Sequence, residues 1–483
     1  MKIVDYLKNN IWLVGILVLA SILRFFHLGH ESAWADEIST LSVTNPNDSF
    51  YTVINNVNLK EGFPYIYFLM MKVFNSISYS VLTPRLFSAI LGIASVYWIY
   101  KLGKILFSSN AGHIAAFILA INQFAILTSQ EARPYSLYML FVIVSFYYLV
   151  SFIKIPTTKN AVLYGLAAGL LLNTSFYGIL NVGSQGLILI FYWFLVDKAN
   201  KFKYLKDLIL AAIIILLFFI PNYFKLQTLL GFASGWIPEP NNDSLGAIFR
   251  ELMGKSEILS LLFLVFTIFF FVKLFQEEVK TKYNDLIDNK IVFGFVILFS
   301  WTIVFLSVMY VKSYLDTSIL LHRYFISLLP MIILLIAASI SFISNKAVMI
   351  ASVATVGLFM LINLIVVHKY YQNLRNTQYE ELTDFAIVNN TEKDVIYTNL
   401  SIWLNTLASV QGKDIQLTQI ESLDAIIMEM KSDPSKLISF WFLNADMGDL
   451  VITPETQTFI DENFVIIKNF DGRNVYARYF KLK

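Results

Sequence analysis

Two adjacent carboxylates, Asp36 and Glu37, directly follow the first apolar stretch of this 483-residue sequence. Neighbouring like charges repel each other and gain little from packing, so the pair needs an explanation. One interpretation is a solvated loop that happens to be acidic. The other is chemical: Asp36 acts as a general base that takes a proton from an acceptor hydroxyl, and Glu37 orients or contacts that acceptor.

A third carboxylate, Glu61, stands three residues before Pro64 at the start of an apolar segment. Proline suits the first turn of a helix, and a carboxylate just before it complements the helix dipole. This spacing alone is as consistent with a structural role as with a functional one.

Basic and aromatic residues stand in the short connections between later apolar stretches. Arg133 lies within residues 129–135 (SQEARPY), where an arginine either extends to lipid headgroups or holds a phosphate through two parallel hydrogen bonds. His322 precedes Arg323 and either binds a metal or, as a lone histidine, only donates a hydrogen bond. Residues 236–240 (WIPEP) form an aromatic, proline-rich turn suited to cover a sugar site.

The overall composition indicates that these residues are positioned by membrane helices. The chain is 57% hydrophobic and only 14% charged, whereas soluble domains carry about 25% charged residues. A net charge of +2 gives no argument for a nucleic-acid partner. The chain has no cysteine, which excludes disulfides, thiolate metal sites and cysteine nucleophiles.

Hydropathy predicts about eleven membrane spans, because a helix crosses the ~30 Å hydrocarbon core with about 20 apolar residues. The predicted spans are residues 10–28, 82–103, 111–128, 136–153, 161–180, 182–197, 207–222, 258–275, 291–311, 324–344 and 347–367. The apolar segment 63–78 is short and contains Lys72, so we interpret it as an interfacial helix.

The distribution of lysines predicts the orientation of these spans. Without 63–78 as a span, one side of the membrane holds most of the loop lysines: Lys101, Lys104, Lys154, Lys159, Lys198, Lys201, Lys203, Lys206 and Lys346. That side is expected to be cytoplasmic. The protein is then a multi-pass protein of the cell membrane. Its outer side carries the C-terminal tail and the loops 29–81, 129–135, 223–257 and 312–323.

The chain divides into residues 1–367, a transmembrane domain with the long first outer loop 29–81, and residues 368–483, an acidic extracytoplasmic α/β domain. Short runs rich in apolar and aromatic residues predict strands in this tail domain at 394–399, 437–443, 464–470 and 474–480. Helical patterns near 378–390 and 421–431 separate them.

The ordered set of Asp36-Glu37, Glu61 with Pro64 and Tyr65, the EARPY sequence at 131–135, and Arg323-Tyr324 with Pro330 resembles a known family. It is similar to the polyprenyl-phosphate-dependent glycosyltransferases of the GT-C fold, in the protein mannosyltransferase and aminoarabinose transferase superfamily. The resemblance covers residues 8–345 and extends loosely to the tail domain.

The resemblance implies roles for individual residues. Asp36 and Glu37 are expected at the active site, and Glu61 near the donor or a divalent metal (magnesium, manganese or zinc). Arg133 and Arg323 are expected at the lipid phosphate, and the donor-binding set is completed by Glu131, Tyr135 and His322. Two segments lack a basic residue that relatives often have. Gly62-Phe63-Pro64 stands where relatives often have His-Pro-Pro or Lys-Pro-Pro, and Thr174-Ser175-Phe176 stands where they often have Thr-His-Tyr.

The implied activity is transfer of a sugar from a polyprenyl-phosphate carrier in the membrane to a protein, lipid or glycan acceptor, with inversion at the anomeric carbon. The sequence has no Asp-x-Asp pair of the kind that holds a nucleotide sugar's metal diphosphate. Two alternatives remain open at this point: a transporter or flippase of glycolipid with an outer domain, and a non-catalytic assembly scaffold. Against the transporter, charges gather at span ends and no internal repeat is visible.

Overall fold

The computed structural model describes residues 10–230, 237–277, 282–445 and 452–483. They form two compact units, each described by itself. The helical unit comprises the described residues of 1–26, 57–70 and 85–372, and the sheet unit comprises residues 27–56, 71–84 and 373–483.

Helices account for almost all of the regular structure before residue 372. Their bounds are Ile11–Phe25, Ala35–Val43, Phe50–Lys60, Ile66–Asn75, Leu82–Leu106, Ser109–Ile121, Gln123–Ser129, Tyr135–Lys154, Thr158–Leu172, Gly178–Leu195, Lys198–Phe219, Tyr223–Leu230, Ser244–Leu252, Glu257–Phe275, Tyr283–Asp288, Lys290–Leu315, Leu329–Ser341 and Lys346–Ile362, with short 3₁₀ or π turns at Ile220–Asn222, His322–Leu328 and Asn363–Val367.

Eight helical segments among the described residues are long and apolar enough to cross a membrane, and a ninth is the bent pair Ser109–Ile121 and Gln123–Ser129. The first and fifth of the eleven predicted spans correspond to shorter apolar helices, Ile11–Phe25 and Thr158–Leu172. Each predicted span therefore has an apolar helix in the structure. The interfacial segment 63–78 contains the helix Ile66–Asn75, whose ten residues extend only about 15 Å.

The sheet unit contains a five-stranded sheet in the order β2-β1-β3-β5-β4. Strands β1 (Val395–Thr398), β2 (Leu417–Gln419) and β3 (Phe440–Ala445) are parallel, whereas β4 (Phe464–Gly472) and β5 (Val475–Leu482) are antiparallel neighbours. The helices of this part are Tyr379–Asn389, Ser401–Val410, Leu423–Ser432 and Pro454–Asn463. The sequence analysis predicts four of these strands and two of the helices.

Alternation along β3 supplies both faces of the sheet with apolar side chains, because successive residues of a strand point to opposite sides. Phe440 and Phe442 join the core against the helices Leu423–Ser432 and Pro454–Asn463. Trp441 and Leu443 join the opposite core, which includes side chains of Tyr379–Asn389 and Ser401–Val410.

Part of the first loop belongs to this second core. Ala33, Ile38, Leu41 and Val81 are buried in the same cluster as Leu404 and other residues of the C-terminal domain. The sequence analysis assigns loop 29–81 to the transmembrane domain, whereas the structure groups residues 27–56 and 71–84 with 373–483. Burial of these apolar loop side chains is the physical reason for the difference.

Candidate active site

Glu61 and Arg133 form a buried ion pair in the helical unit. Arg133 Nη1 and Nη2 donate to the two carboxylate oxygens of Glu61 at 3.2 and 3.0 Å. The Arg133 side chain is only 5% exposed and the Glu61 side chain only 3%. The ring of Phe63 lies 5.3 Å from the guanidinium carbon and covers it. Such a two-pronged contact fixes the plane of the guanidinium as well as its position.

A broken helix positions the turn that carries Arg133. The helices Ser109–Ile121 and Gln123–Ser129 are bent by 63° at Asn122. The Asn122 side chain restarts the helix, accepting from the Ala125 amide at 2.8 Å, and donates to the carbonyl of Leu252 at 3.1 Å. The bend directs residues 130–134 into a tight turn, in which the Arg133 amide donates to the Glu131 carbonyl at 2.9 Å.

Arg24, at the end of the helix Ile11–Phe25, donates hydrogen bonds to backbone carbonyls next to the bend. Its guanidinium is fully buried and donates to the carbonyls of Ala120 and Leu119 at 2.9 and 3.1 Å and to the hydroxyl of Ser129 at 3.3 Å. Gly92 faces this contact, since a Cβ there would lie 2.1 Å from the Ser129 hydroxyl. Arg24 therefore stabilises the helix break that precedes the turn carrying Arg133.

Lys225 is a second buried cation near Glu61, and sequence reasoning did not single it out. Its side chain donates to the carbonyl of Val57 at 2.8 Å and lies 5.1 Å from the centre of the Tyr65 ring. It is also close enough to Glu61 to interact with that carboxylate electrostatically. Two basic side chains, Arg133 and Lys225, therefore lie close to the Glu61 carboxylate. The available signal was a lysine immediately after a long apolar stretch.

Arg323 lies in the 3₁₀ turn His322–Leu328, in a group of aromatic hydroxyls. Tyr324 stacks on Tyr177 with ring centres 4.6 Å apart. The Tyr177 hydroxyl interacts electrostatically with Arg323, Tyr324 and Tyr135. The structure thus brings together two predicted donor-binding residues, Arg323 and Tyr135, around a tyrosine that the sequence analysis did not name.

His322 has a different environment. It lines a cavity of about 310 Å³ together with the carboxylates of Glu239, Asp243 and Glu251 and the apolar side chain of Ile248. Carboxylates repel a phosphate, so this cavity is a poor place for the donor headgroup. The donor-binding role of His322 stays a prediction. Trp236 of the proposed covering turn lies outside the described residues, while Pro238 and Glu239 belong to this cavity wall.

Asp36 and Glu37 belong to the sheet unit, whereas Glu61, Arg133 and Arg323 belong to the helical unit. Asp36 is half-buried in the first turn of the helix Ala35–Val43. Glu37 is fully buried, and its carboxylate accepts from the backbone amide of Trp34 at 3.3 Å. This contact gives Glu37 a capping role at the start of its own helix.

The comparisons with known proteins concern the fold. Residues 62–224 match the family model described as dolichyl-phosphate-mannose-protein mannosyltransferase. The structure is similar to ArnT from Cupriavidus metallidurans bound to undecaprenyl phosphate, with a TM-score of 0.59, 11% identity, and coverage of 97% of this chain and 98% of that chain. No curated protein sequence matches the chain significantly.

Two further similar structures come from other organisms. The oligosaccharyltransferase AglB from Archaeoglobus fulgidus, in complex with an inhibitory peptide and a dolichol-phosphate, matches with a TM-score of 0.52 and 10% identity over 91% of this chain and 70% of that chain. The arabinofuranosyltransferase AftD from Mycobacteria matches with a TM-score of 0.52 and 12% identity over 98% of this chain and 40% of that chain.

The chain has the GT-C fold. The predicted class of a polytopic helical membrane protein with a C-terminal α/β domain is confirmed, as is the resemblance to GT-C glycosyltransferases that the motifs indicated. The matched family model and the similar AglB and AftD structures are all described as transferases.

The residues present do not fit a divalent metal at Glu61. Both carboxylate oxygens accept from Arg133, and the Lys225 ammonium, which a metal cation would repel, also interacts with Glu61. Within the described part of the chain, no three His, Asp or Glu side chains are grouped so that they could hold a metal ion.

Proposed function

We propose that this protein is a glycosyltransferase that takes a sugar from a polyprenyl-phosphate carrier and transfers it to an acceptor hydroxyl on the non-cytoplasmic side of the membrane. The observation that carries the proposal is the buried positive charge of Arg133 and Lys225 beside Glu61, within a GT-C fold. A lipid phosphate needs such a charge beside membrane helices. The similar ArnT structure, bound to undecaprenyl phosphate, supports the donor class.

The leaving group determines what the site must do. The acceptor oxygen attacks the anomeric carbon, the bond from that carbon to the phosphate oxygen breaks, and the polyprenyl phosphate departs with the bonding electrons. The phosphate gains negative charge in the transition state, so cations placed beforehand lower the barrier. We assign this role to Arg323 and Arg133, with Lys225 as a third cation.

Each of the two arginines has a distinct setting. Arg133 is already oriented by Glu61, so it can act with little reorganisation. Arg323 lies among Tyr135, Tyr177 and Tyr324, whose hydroxyl groups can bind phosphate or sugar oxygens.

Asp36 is the proposed general base. An acceptor hydroxyl is a poor nucleophile at neutral pH, and a carboxylate that takes its proton as the new bond forms completes the reaction. Glu37 is proposed to orient the base, since it caps the start of the helix that carries Asp36. Displacement in a single step inverts the anomeric configuration.

The test is binding of a short-chain polyprenyl phosphate to the purified protein, measured for wild type, Arg323→Lys and Arg323→Ala. We expect weaker binding in the order wild type, lysine variant, alanine variant, because a lysine cannot make the two parallel hydrogen bonds. Arg250→Ala, which removes a partly exposed arginine paired with Asp243, is the control and should bind like wild type. Displacement of the lipid by a nucleotide sugar, or wild-type binding by Arg323→Ala, would contradict the donor class.

A further inference from the structure

Three consecutive residues before the Asp36 helix are hydrogen-bonded to the segment that opens the C-terminal domain. The Glu31 carboxylate accepts from the backbone amide of Arg375 at 2.9 Å, from its Nε at 2.9 Å, and from the Asn376 amide at 3.2 Å. The Ser32 carbonyl accepts from the Asn376 side chain at 2.8 Å. All of these residues belong to the sheet unit.

Glu380 makes a second, reciprocal contact with two of these residues, Ser32 and Ala33. The backbone amide of Ala33 donates to its carboxylate at 2.6 Å, and its own amide donates to the Ser32 hydroxyl at 3.0 Å. Ser32 and Ala33 are buried. The Glu31 carboxylate, the Ser32 carbonyl and the Ala33 amide are thus all bound by residues that lie more than 340 positions later in the sequence.

The helix that follows is anchored to the same domain by apolar packing. Ile38 and Leu41 are fully buried in a cluster that contains Leu404 and Leu407 of the helix Ser401–Val410. Polar contacts at the helix start and apolar contacts along one face determine both the position and the rotation of the helix. Asp36, in the first turn, is consequently placed by the C-terminal domain.

We propose that Glu31, Arg375 and Glu380 are positioning residues for the catalytic base, and that the C-terminal domain serves to hold the Asp36 helix. This inference rests on the proposed function, because it assigns the purpose of the contacts to Asp36. Proton transfer depends steeply on geometry, and a shift of about 1 Å can reduce a rate roughly 10²-fold.

The experiment compares Glu31→Gln and Glu380→Gln with wild type, using full-length protein and turnover per folded molecule. Glutamine keeps the size of the side chain but weakens the bonds to backbone amides. We expect turnover to fall about 10- to 100-fold while binding of short-chain polyprenyl phosphate stays within twofold of wild type. Amide hydrogen exchange should become faster in residues 33–38. Asp471→Asn, which removes another Arg–carboxylate pair of the same unit, should leave turnover unchanged.

The outcomes separate this inference from the proposed function. Faster exchange and slower turnover in the two glutamine variants, with an unaffected control, support the positioning role. Unchanged turnover in both variants overturns it while the wild type remains an active transferase. Unchanged exchange in residues 33–38 overturns it whatever the activity. A wild type that binds no polyprenyl phosphate contradicts the proposed donor instead.

Discussion

The two guanidinium nitrogens of Arg133 bind the two carboxylate oxygens of Glu61, 72 residues earlier in the chain, and both side chains are almost entirely buried. Taking two ions out of water is costly, and their attraction offsets that cost only when the geometry is good and both partners remain. The pair is therefore a structural element in its own right as well as part of the proposed donor site.

The energetic coupling of this pair can be measured. Removing one partner leaves an unpaired buried charge, which typically costs about 3–5 kcal/mol, whereas apolar replacement of both is often close to neutral. We expect Arg133→Met and Glu61→Met each to destabilise the protein by that order, and the double variant to recover much of the loss. Reversible unfolding in detergent measures these values. A double variant whose loss equals the sum of the two single losses would show that the pair is not coupled.

Lys225 should contribute to donor binding as the second cation near Glu61. A hydrogen bond that involves a charged group is worth about 1.5–3 kcal/mol, so we expect Lys225→Met to weaken binding of short-chain polyprenyl phosphate by roughly 10- to 100-fold. Lys225→Arg should retain most of the affinity because the charge is kept. Lys206→Met, at the exposed opposite end of the same helical segment, is the matched control. Equal affinity of Lys225→Met and the control would remove Lys225 from the site.

Glu31 predicts a pH dependence of stability. Burial alone would raise the pKa of its carboxyl, but hydrogen bonds from the backbone and side chain of Arg375 and from Asn376 outweigh that effect and lower the pKa. A lowered folded-state pKa means that Glu31 stabilises the protein fully above the unfolded-state pKa of about 4.3. This contribution is lost as the pH falls through the lower folded-state value.

The measurement is the Tm of wild type and Glu31→Gln as a function of pH. The wild type should be more stable at neutral pH by a constant margin, which shrinks below a pH of about 4.3 and disappears in stronger acid. Glu429→Gln removes an exposed partner of Lys436 and should show no such margin. A margin that stays constant down to acid pH would mean that Glu31 does not stabilise through its charge.

The sidedness inferred from the lysine distribution predicts a labelling pattern. The chain has no native cysteine, so single cysteines report their own position. Ser432→Cys, exposed in the C-terminal domain, should react with an impermeant thiol reagent added to intact cells. Lys198→Cys, exposed at the start of the helix Lys198–Phe219, should react only after the membrane is permeabilised. The reverse pattern would place the C-terminal domain in the cytoplasm.

The sequence predicted features that depend on local patterns. Long apolar runs identify the spans because lipid imposes length and hydrophobicity on each helix separately. A continuous apolar run identifies β3 for a similar reason, since this strand supplies apolar side chains to both faces of the sheet. The short strand Leu417–Gln419 was missed because it is largely exposed and carries no such pattern.

Features that depend on contacts between distant segments could not be predicted in the same way. The EARPY residues indicated a phosphate-binding arginine, but nothing in the sequence showed that Arg133 pairs with Glu61. Ile38 and Leu41 look like ordinary loop residues until the surface that buries them is known. Lys225 and Arg24 each stand at the end of an apolar stretch, where an extended lysine or arginine at the lipid surface is the usual explanation.

The most direct test of the account is turnover of a sugar-loaded polyprenyl phosphate by the purified protein, compared between wild type and Asp36→Asn. The account predicts release of polyprenyl phosphate and transfer of the sugar to an acceptor by the wild type. The asparagine variant should bind the donor normally but turn over about 10²–10⁴-fold more slowly, because it cannot accept the proton. Equal turnover by Asp36→Asn would contradict the assigned base, and no release of polyprenyl phosphate by the wild type with any acceptor would contradict the central claim.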